Sequence, residues 1–215
     1  MESSIRIRMM RKVRSKLPRI FGGRSAKKGE KFQMAKVYAF VADGMEEVEC
    51  LAVCDCLRRA KVDVKLVSIM GRKMVTGSHG FKIEADCLFE EIEDDADVLF
   101  LPGGLVGTNN LKAHRGLGEM LKAHAAAGKR LAAICAAPSV LGKLGLVKGH
   151  RATCYPGFEG KMEGADCRGD GVITDRLVST GRGMGWSIDL GLELIKLLVS
   201  EEESERIKAA IQYMK

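Results

Sequence analysis

The sequence predicts an α/β fold with a mostly parallel central sheet. Short apolar runs that resemble buried strands alternate with segments of helical spacing along residues 36–215. Turn-forming Asp-Gly and Pro-Gly-Gly sequences end two of these runs, as expected where a strand passes into a loop. Alternation of this kind is typical of parallel sheets whose strands are connected through helices.

The predicted strands come first. They are KVYAFVA (36–42), KVDVKLVSI (61–69), DADVLFL (95–101), RLAAI (130–134) and one or two strands within GVITDRLVST (171–180). The segment GRKMVTGSHGFKIEADC (71–87) is rich in glycine and β-formers, and it predicts an irregular hairpin.

Helices are predicted between and after these strands. They are MEEVECLAVCDCLRRA (45–60), RGLGEMLKAHAAAGK (115–129, closed by Gly128), AAPSVLGKLGLV (136–147) and two C-terminal helices (184–200 and 201–215). Ligands of such sheets bind outside the carboxyl ends of the strands. We therefore expect three loops to meet at one edge, with Glu46–Glu49, Gly103–Gly104 and Cys135–Ala136 as the candidate site.

Composition limits the function classes. The 215 residues are 46% hydrophobic, enough for a sizeable core, and no apolar stretch is long enough to predict a membrane span. The net charge of +7 is concentrated in residues 1–33, which hold eleven Lys or Arg and two Glu, a net of +9. The rest of the chain therefore carries −2 and offers no basic footprint for nucleic acid.

The basic segment 1–33 has three open interpretations. It could be an Arg-rich presequence, a solvated tail that binds nucleic acid or membrane, or a segment that precedes a true start at Met34. Under each interpretation we expect it to be disordered or weakly helical. The predicted organisation is thus a basic extension over 1–33 and a single domain over 34–215.

Seven cysteines are present, an odd number without disulfide-type spacing or a secretory signal. This favours free thiols in a reducing compartment, and we expect the cytoplasm. Cys50 and Cys54 are spaced i, i+4 and could bind a metal, but no histidine lies nearby, so no metal is predicted.

Cys135 stands where the strand RLAAI turns into a helix. A nucleophile elbow has this strand–nucleophile–helix form, and the small residues Ala133, Ala136 and Ala137 would let the backbone pass closely. The N–H groups of a helix N-terminus favour a thiolate. The alternative is an inert buried cysteine, because free cysteines are commonly buried.

A helical wheel places Glu49 on the packing face of the first helix. That stripe comprises Glu49, Ala52, Val53, Cys56 and Ala60, whereas Glu47, Leu51, Cys54 and Arg58 lie towards the opposite side. A lone inward charge is costly, so a carboxyl beside a thiolate would stay protonated and donate a hydrogen bond to it. The glycines of LPGG, Gly103 and Gly104, allow close backbone approach and could form an anion-binding nest with the Ala136 N–H.

Four segments, AFVADGMEEVE, DVLFLPGG, AAICAAPSVL and VSTGRGMGWSIDLGL, resemble the ThiJ/PfpI superfamily, and within it the branch of the parkinsonism-associated protein deglycase. The resemblance covers about residues 35–200. It implies a flavodoxin-like three-layer sandwich, usually a homodimer, with Cys135 as nucleophile and Glu49 as its protonated partner. It also implies that Gly104 and Ala136 supply pocket N–H groups.

The sequence departs from this pattern in two places. TCYPG carries Tyr155 where several relatives have a histidine, and Tyr155 is a weak base at neutral pH. We expect Tyr155 to bind substrate together with Gly103, Gly104 and Ala136. GMG replaces the GPG expected at Gly183–Gly185, which changes that edge of the pocket. Ala136 is a third informative position, because protease-like members have histidine there and peptidase chemistry is disfavoured.

The resemblance implies a cofactor-independent deglycase or glyoxalase that acts on small 2-oxoaldehydes or on glycated protein or nucleotide. A sensor or redox chaperone based on oxidation of Cys135 is the alternative, since both functions use the same sulfur environment. A third hypothesis is that the protein is a family member whose site has lost its activity and now serves only in packing.

Overall fold

The computed structural model describes residues 34–214. The predicted basic extension over 1–33 lies outside the described residues and stays a prediction.

The strands are β1 (Lys36–Val41), β2 (Asp63–Ser68), β3 (Met74–Thr76), β4 (Lys82–Glu84), β5 (Cys87–Leu88), β6 (Val98–Leu101), β7 (Arg130–Ile134), β8 (Arg151–Ala152), β9 (Asp166–Cys167), β10 (Val172–Asp175) and β11 (Val178–Gly181). The helices are α1 (Glu47–Arg59), α2 (Leu105–Ala113), α3 (Arg115–Ala126), α4 (Pro138–Lys143), α5 (Ser187–Leu198) and α6 (Glu201–Ala210). Short 3-10 helices lie at Phe89–Glu91, Glu159–Lys161 and Met184–Trp186.

The central sheet has seven strands in the order β10-β11-β7-β6-β1-β2-β5. All neighbouring strands are parallel except β10 and β11, which are antiparallel. Two small pairs lie apart from it: the antiparallel hairpin β3–β4 and the parallel pair β8–β9. The predicted α/β fold with a mostly parallel sheet is confirmed.

Helices cover both faces of this sheet. Because side chains alternate along a strand, β1 sends Val37, Ala39 and Val41 to one face and Tyr38 and Phe40 to the other. The first face packs against residues of α1, α5 and α6, and the second against residues of α2, α3 and α4. The strands are buried on both faces, which explains why the sequence shows continuous apolar runs.

The helix after Cys135 is shorter than predicted. The pattern predicts a helix over 136–147, but α4 ends at Lys143. A turn follows it, with Gly145 at a φ of 72°. Gly142 lies against the backbone of Lys161, where a larger residue would collide. These long-range and turn constraints override the helical spacing.

No helix within residues 34–214 is long and apolar enough to span a membrane. The carboxyl ends of β1, β6 and β7 lead into the three loops that were expected to meet. The loops do meet: the Glu46 N–H donates to the Gly103 carbonyl at 3.0 Å, and Gly103 packs against Cys135.

Candidate functional site

Cys135 lies between β7 and α4 in a left-handed backbone conformation, with a φ of 63°. A non-glycine residue in this region is uncommon and strained. Two hydrogen bonds hold it there: its N–H donates to the Gly181 carbonyl at 2.9 Å, and its carbonyl accepts from the Tyr155 N–H at 2.8 Å. The strained turn leaves the thiol half-buried, in the position expected of a nucleophile elbow.

Two backbone N–H groups are aimed at the Cys135 sulfur, those of Gly104 and Ala136, and both favour the thiolate. Gly104 has a φ of 85°, and a side chain there would collide with the backbone of Gly44 and Glu46. Glycine is therefore required at position 104. The structure thus places two of the three N–H groups of the predicted anion-binding nest at the sulfur, whereas the Gly103 N–H is directed at Glu49 instead.

Glu49 extends from the first turn of α1 toward Cys135. Its side chain is buried, with 1% of the residue exposed. Its backbone N–H is capped by the Glu46 carboxylate at 2.6 Å. Glu49 Oε2 has no nitrogen or oxygen partner among residues 34–214, and it lies beside Cys135 over Gly103, whose missing side chain makes the room. The inward orientation predicted from the wheel is what the structure shows.

Glu47 is placed differently from the prediction. The wheel puts it away from the packing face, yet it is buried. The β3–β4 hairpin folds over it: Glu47 accepts from the Ser78 hydroxyl at 3.1 Å and from the His79 N–H at 2.8 Å. Burial alone would raise the pKa of Glu47, but the hydrogen bonds from His79 and Ser78 lower it to about 2. Wheel arguments fail here because the covering element is distant in sequence.

Glu49 and Cys135 form a coupled acid pair. Burial raises the pKa of Glu49 to about 7, against hydrogen bonds from Cys135 and from the Gly103 and Met184 N–H groups. Burial and then the Glu49 charge raise the pKa of Cys135 to about 12, against the Gly104 and Ala136 N–H groups. Two negative charges cannot coexist cheaply at this separation. Between about pH 7 and pH 12 the pair therefore carries one charge and keeps one proton.

This corrects the expectation that a helix N-terminus and a sharp turn by themselves make Cys135 acidic. The six-residue α4 begins only at Pro138, and burial dominates at the sulfur. A thiolate forms at neutral pH only if Glu49 keeps the shared proton.

A small apolar pocket of about 240 Å³ opens beside the thiol. It is lined by Leu105, Cys135, Ala136, Tyr155 and Phe158. Sequence reasoning missed Leu105 and Phe158. Leu105 directly follows the LPGG motif, which could have suggested it, whereas nothing in the sequence signals Phe158. A larger cleft of about 400 Å³ near α5 and α6 has mixed charges and no nucleophile, so the chemistry is assigned to the smaller pocket.

Tyr155 forms the outer wall of this pocket. It is 51% exposed, packs over Gly183 and meets Phe158 edge-on at 6.4 Å between ring centroids. Within residues 34–214, the lining of the pocket includes no histidine. An exposed phenol in this position contributes contact area and gives no sign of acting as a base.

Metal-type ligands occur beside the site. Among the described residues, Glu46, Glu47 and His79 place one ligand atom each within 4.8 Å of one another. Glu47 is already paired with His79, and Glu46 caps α1. Cys50 and Cys54 are buried and hydrogen-bonded to each other.

Comparison with known proteins gives concordant matches. A sequence model of the DJ-1/PfpI family matches residues 35–197. Protein DJ-1 homolog B of Arabidopsis thaliana is 35% identical over 179 residues, which are 82% of this chain and 41% of that protein. The chain thus spans less than half the length of this relative. A Pyrococcus abyssi protein named a deglycase is 32% identical over 166 residues, 76% of this chain and 99% of that one.

Solved structures show the same architecture. Toxoplasma gondii DJ-1, described as oxidized, superposes with a TM-score of 0.80 at 35% identity, and the match covers 84% of this chain and 100% of that one. This likeness, together with helices on both sheet faces, confirms the flavodoxin-like three-layer fold.

Proposed function

The chain belongs to the DJ-1/PfpI family, and on that premise we propose that it is a cysteine-dependent deglycase or glyoxalase. Its substrates would be methylglyoxal, glyoxal or their early adducts with protein or nucleotide. The reaction needs no cofactor, since a thiol and a proton carrier suffice. A relative named a deglycase, 99% of which this chain matches, supports the proposal.

The contact between Glu49 and Cys135 carries this proposal. Oε2 of Glu49 lies against Cys135 in a buried setting that raises the pKa of the carboxyl to about 7. A carboxyl that titrates near neutral pH can both give and take a proton. A buried carboxyl beside a strained cysteine lowers fold stability, so stability by itself does not account for this arrangement.

The mechanism begins with the thiolate of Cys135 attacking the aldehyde carbon of a 2-oxoaldehyde. The carbonyl π electrons move to oxygen, and the N–H groups of Gly104 and Ala136 stabilise that oxyanion. Protonation by Glu49 gives a hemithioacetal. Glu49 carboxylate then removes the proton from the former aldehyde carbon, the hydroxyl proton on that carbon passes to the neighbouring ketone oxygen, and Glu49 returns its proton to the neighbouring carbon. The resulting thioester is hydrolysed to a 2-hydroxy acid, so the net reaction adds one water.

The test is consumption of methylglyoxal without glutathione. We expect Cys135→Ser to abolish turnover, because serine is not ionised near neutral pH. Glu49→Gln should lose most turnover, since an amide donates a hydrogen bond but transfers no proton. Cys87→Ser is the matched control: this half-buried thiol lies on β5, away from the pocket, and should keep wild-type rates. Wild-type turnover in Cys135→Ser would refute the proposal.

Redox sensing through Cys135 is the second candidate. A relative of known structure is described as oxidized. The Gly104 and Ala136 N–H groups that favour the thiolate would equally hold the oxygens of a sulfinate. A sensor needs the donor but no proton transfer, so Glu49→Gln should still form sulfinate with peroxide while turnover is lost.

We also propose a homodimer, with α1 at its interface. Val48 and Leu51 on α1 are 50% and 41% exposed, although the helix is otherwise buried along much of its length. Exposed apolar side chains beside a site are a common mark of an interface. Sedimentation should give twice the chain mass, and Leu51→Lys should shift it toward the monomer.

A further inference from the structure

Two cysteines outside the catalytic pair lie within reach of each other. Cys154 follows β8, and Cys167 ends β9. These strands are paired in parallel with Ala152 opposite Cys167, and the Arg168 N–H donates to the Ala152 carbonyl at 2.8 Å. This register places Cys154 two residues beyond the partner of Cys167, near enough for the Cys154 thiol to act as a hydrogen-bond donor on the pKa of Cys167.

The backbone around this pair is firmly anchored. The Thr153 N–H donates to the Thr180 hydroxyl at 2.9 Å, and the Thr153 hydroxyl donates to the Asp170 carbonyl at 2.7 Å. Both bonds fix Thr153, which adjoins Cys154, and the second ties it to Asp170, three residues after Cys167. Closing a bond between groups that the strand pairing already holds near each other costs little further chain entropy.

The two thiols differ in access. Cys154 is core-packed with 4% of the residue exposed, whereas Cys167 is half-buried and reachable by a small solute. Burial raises the pKa of both thiols, and the hydrogen bond from Cys154 favours the thiolate at Cys167. An outer thiol that reacts first and an inner one that resolves it is the arrangement of a redox dithiol.

We propose that Cys154 and Cys167 form a second oxidisable site, a dithiol that hydroperoxides convert into a disulfide. The Cys167 thiolate attacks one peroxide oxygen and the O–O bond breaks, which leaves a sulfenic acid. The other oxygen departs as hydroxide and becomes water by taking up the proton that the thiol had released. The Cys154 sulfur then attacks the sulfenic sulfur, the S–S bond forms and a second water leaves. Two thiols are oxidised by two electrons, and one hydrogen peroxide is reduced to two waters.

The disulfide would close the loop that carries the pocket wall. Tyr155 and Phe158 both lie between the two cysteines, and both line the pocket beside Cys135. Oxidation at this site would therefore fix the wall of the candidate active site without touching its nucleophile. The inference is independent of the proposed function, because neither cysteine belongs to the catalytic pair.

The experiment treats the full chain with hydrogen peroxide, blocks free thiols with N-ethylmaleimide before denaturation, and digests with trypsin without reduction. Cleavage after Arg151, Lys161 and Arg168 puts Cys154 in peptide 152–161 and Cys167 in peptide 162–168, whereas Cys135 falls in 131–143. We expect the first two peptides to be joined, and dithiothreitol to separate them. The link should persist in Cys135→Ser and in the control Cys87→Ser, and vanish in Cys154→Ser.

Thermal unfolding provides a second readout. A disulfide closing a loop of this length should raise the unfolding midpoint of the peroxide-treated protein by roughly 5–10 °C. The rise should be reversed by dithiothreitol and absent in Cys154→Ser and Cys167→Ser. Peptides 152–161 and 162–168 that stay separate while Cys135 is oxidised, or an equal midpoint rise in Cys154→Ser, would overturn the proposal.

Discussion

Above about pH 7 Cys135 and Glu49 hold one proton between them, and the reactivity of the site depends on which atom keeps it. If the carboxyl keeps it, the sulfur is a thiolate with three donors: the carboxyl and the N–H groups of Gly104 and Ala136. If the thiol keeps it, the carboxylate suppresses sulfur ionisation up to a pKa of about 12. The proposed chemistry requires the first arrangement.

Titration of thiolate absorbance at 240 nm distinguishes the arrangement in which Glu49 keeps the proton from the one in which Cys135 keeps it. We expect the Cys135 thiolate of the wild type to appear in the first ionisation step, near pH 7, and Glu49→Gln to titrate close by, because the amide still donates. Glu49→Ala should titrate about one to two pH units higher, since a hydrogen bond to a charged group is worth about 1.5–3 kcal/mol at about 1.36 kcal/mol per unit. Cys135→Ser supplies the baseline. A thiolate seen only above pH 10 in the wild type, and earlier in Glu49→Ala, would contradict the assignment.

The same pair makes stability depend on pH. The pKa of Glu49 is raised from its ordinary value to about 7, so the folded state binds more protons than the unfolded state. Its contribution is therefore fully present below about pH 4.5 and is lost as pH rises through 7. We expect the wild type to lose about 3 kcal/mol of unfolding free energy across this window.

Urea unfolding at a series of pH values measures this loss. Glu49→Gln has no carboxyl to titrate, so its stability should be nearly flat between pH 4.5 and 7, and higher than wild type at pH 8. Glu47 gives the opposite sign and serves as an internal comparison: its pKa is lowered to about 2, so its contribution is lost as pH falls below about 4. If the unfolding free energies of the wild type and Glu49→Gln changed with pH in parallel, the raised pKa of Glu49 would be refuted.

At the scale of elements, the segments that were predictable are those whose burial is complete. The strands β1, β2, β6 and β7 have apolar runs because both sheet faces are covered, and periodicity detects such runs directly. The elements β5, β8 and β9 have two residues each, too few for any pattern. The helix α2 was not predicted, because the glycines of LPGG indicate a loop and the apolar residues that follow show only weak helical spacing.

The loop between β6 and α2 sets the geometry of the site. Gly104 has a positive φ and is packed against the backbone of Gly44 and Glu46. We expect Gly104→Ala to cost about 3 kcal/mol or more, from backbone strain of about 1–3 kcal/mol plus the collision. It should also slow alkylation of Cys135, because the Gly104 N–H moves away from the sulfur.

Gly157 is the matched control for that substitution. It has a similar φ of 89° and open space around its Cβ position. Gly157→Ala should cost only about 1 kcal/mol and leave Cys135 reactivity unchanged. Chemical unfolding and iodoacetamide kinetics measure both effects. Equal losses for the two variants would show that backbone conformation alone, and not packing against the loop between β1 and α1, makes glycine necessary at 104.

At the scale of the whole molecule, the site is assembled from three segments far apart in sequence and held by one sheet. Parallel topology brings the loops after β1, β6 and β7 to one edge, which is why Glu49, Gly103–Gly104 and Cys135 could be placed together before any contact was known. Side chains delivered by other elements could not be foreseen in this way. Phe158 and the hairpin residue His79 reach the site region through contacts that no local pattern encodes.

Removal of residues 1–33 tests how far the folded unit is complete without them. β1 begins at Lys36 and is a central strand, paired with β2 on one side and β6 on the other. Both hydrophobic clusters are built from residues 35–213.

We expect a chain starting at Met34 to match the full chain in urea midpoint, slope and methylglyoxal turnover. It should also lose retention on a cation exchanger, because the +9 net charge of the segment is gone. A chain starting at Tyr38 is the control: it cuts into β1 and should lower the midpoint clearly. A comparable drop on removal of residues 1–33 alone would show that the basic segment is part of the folded domain.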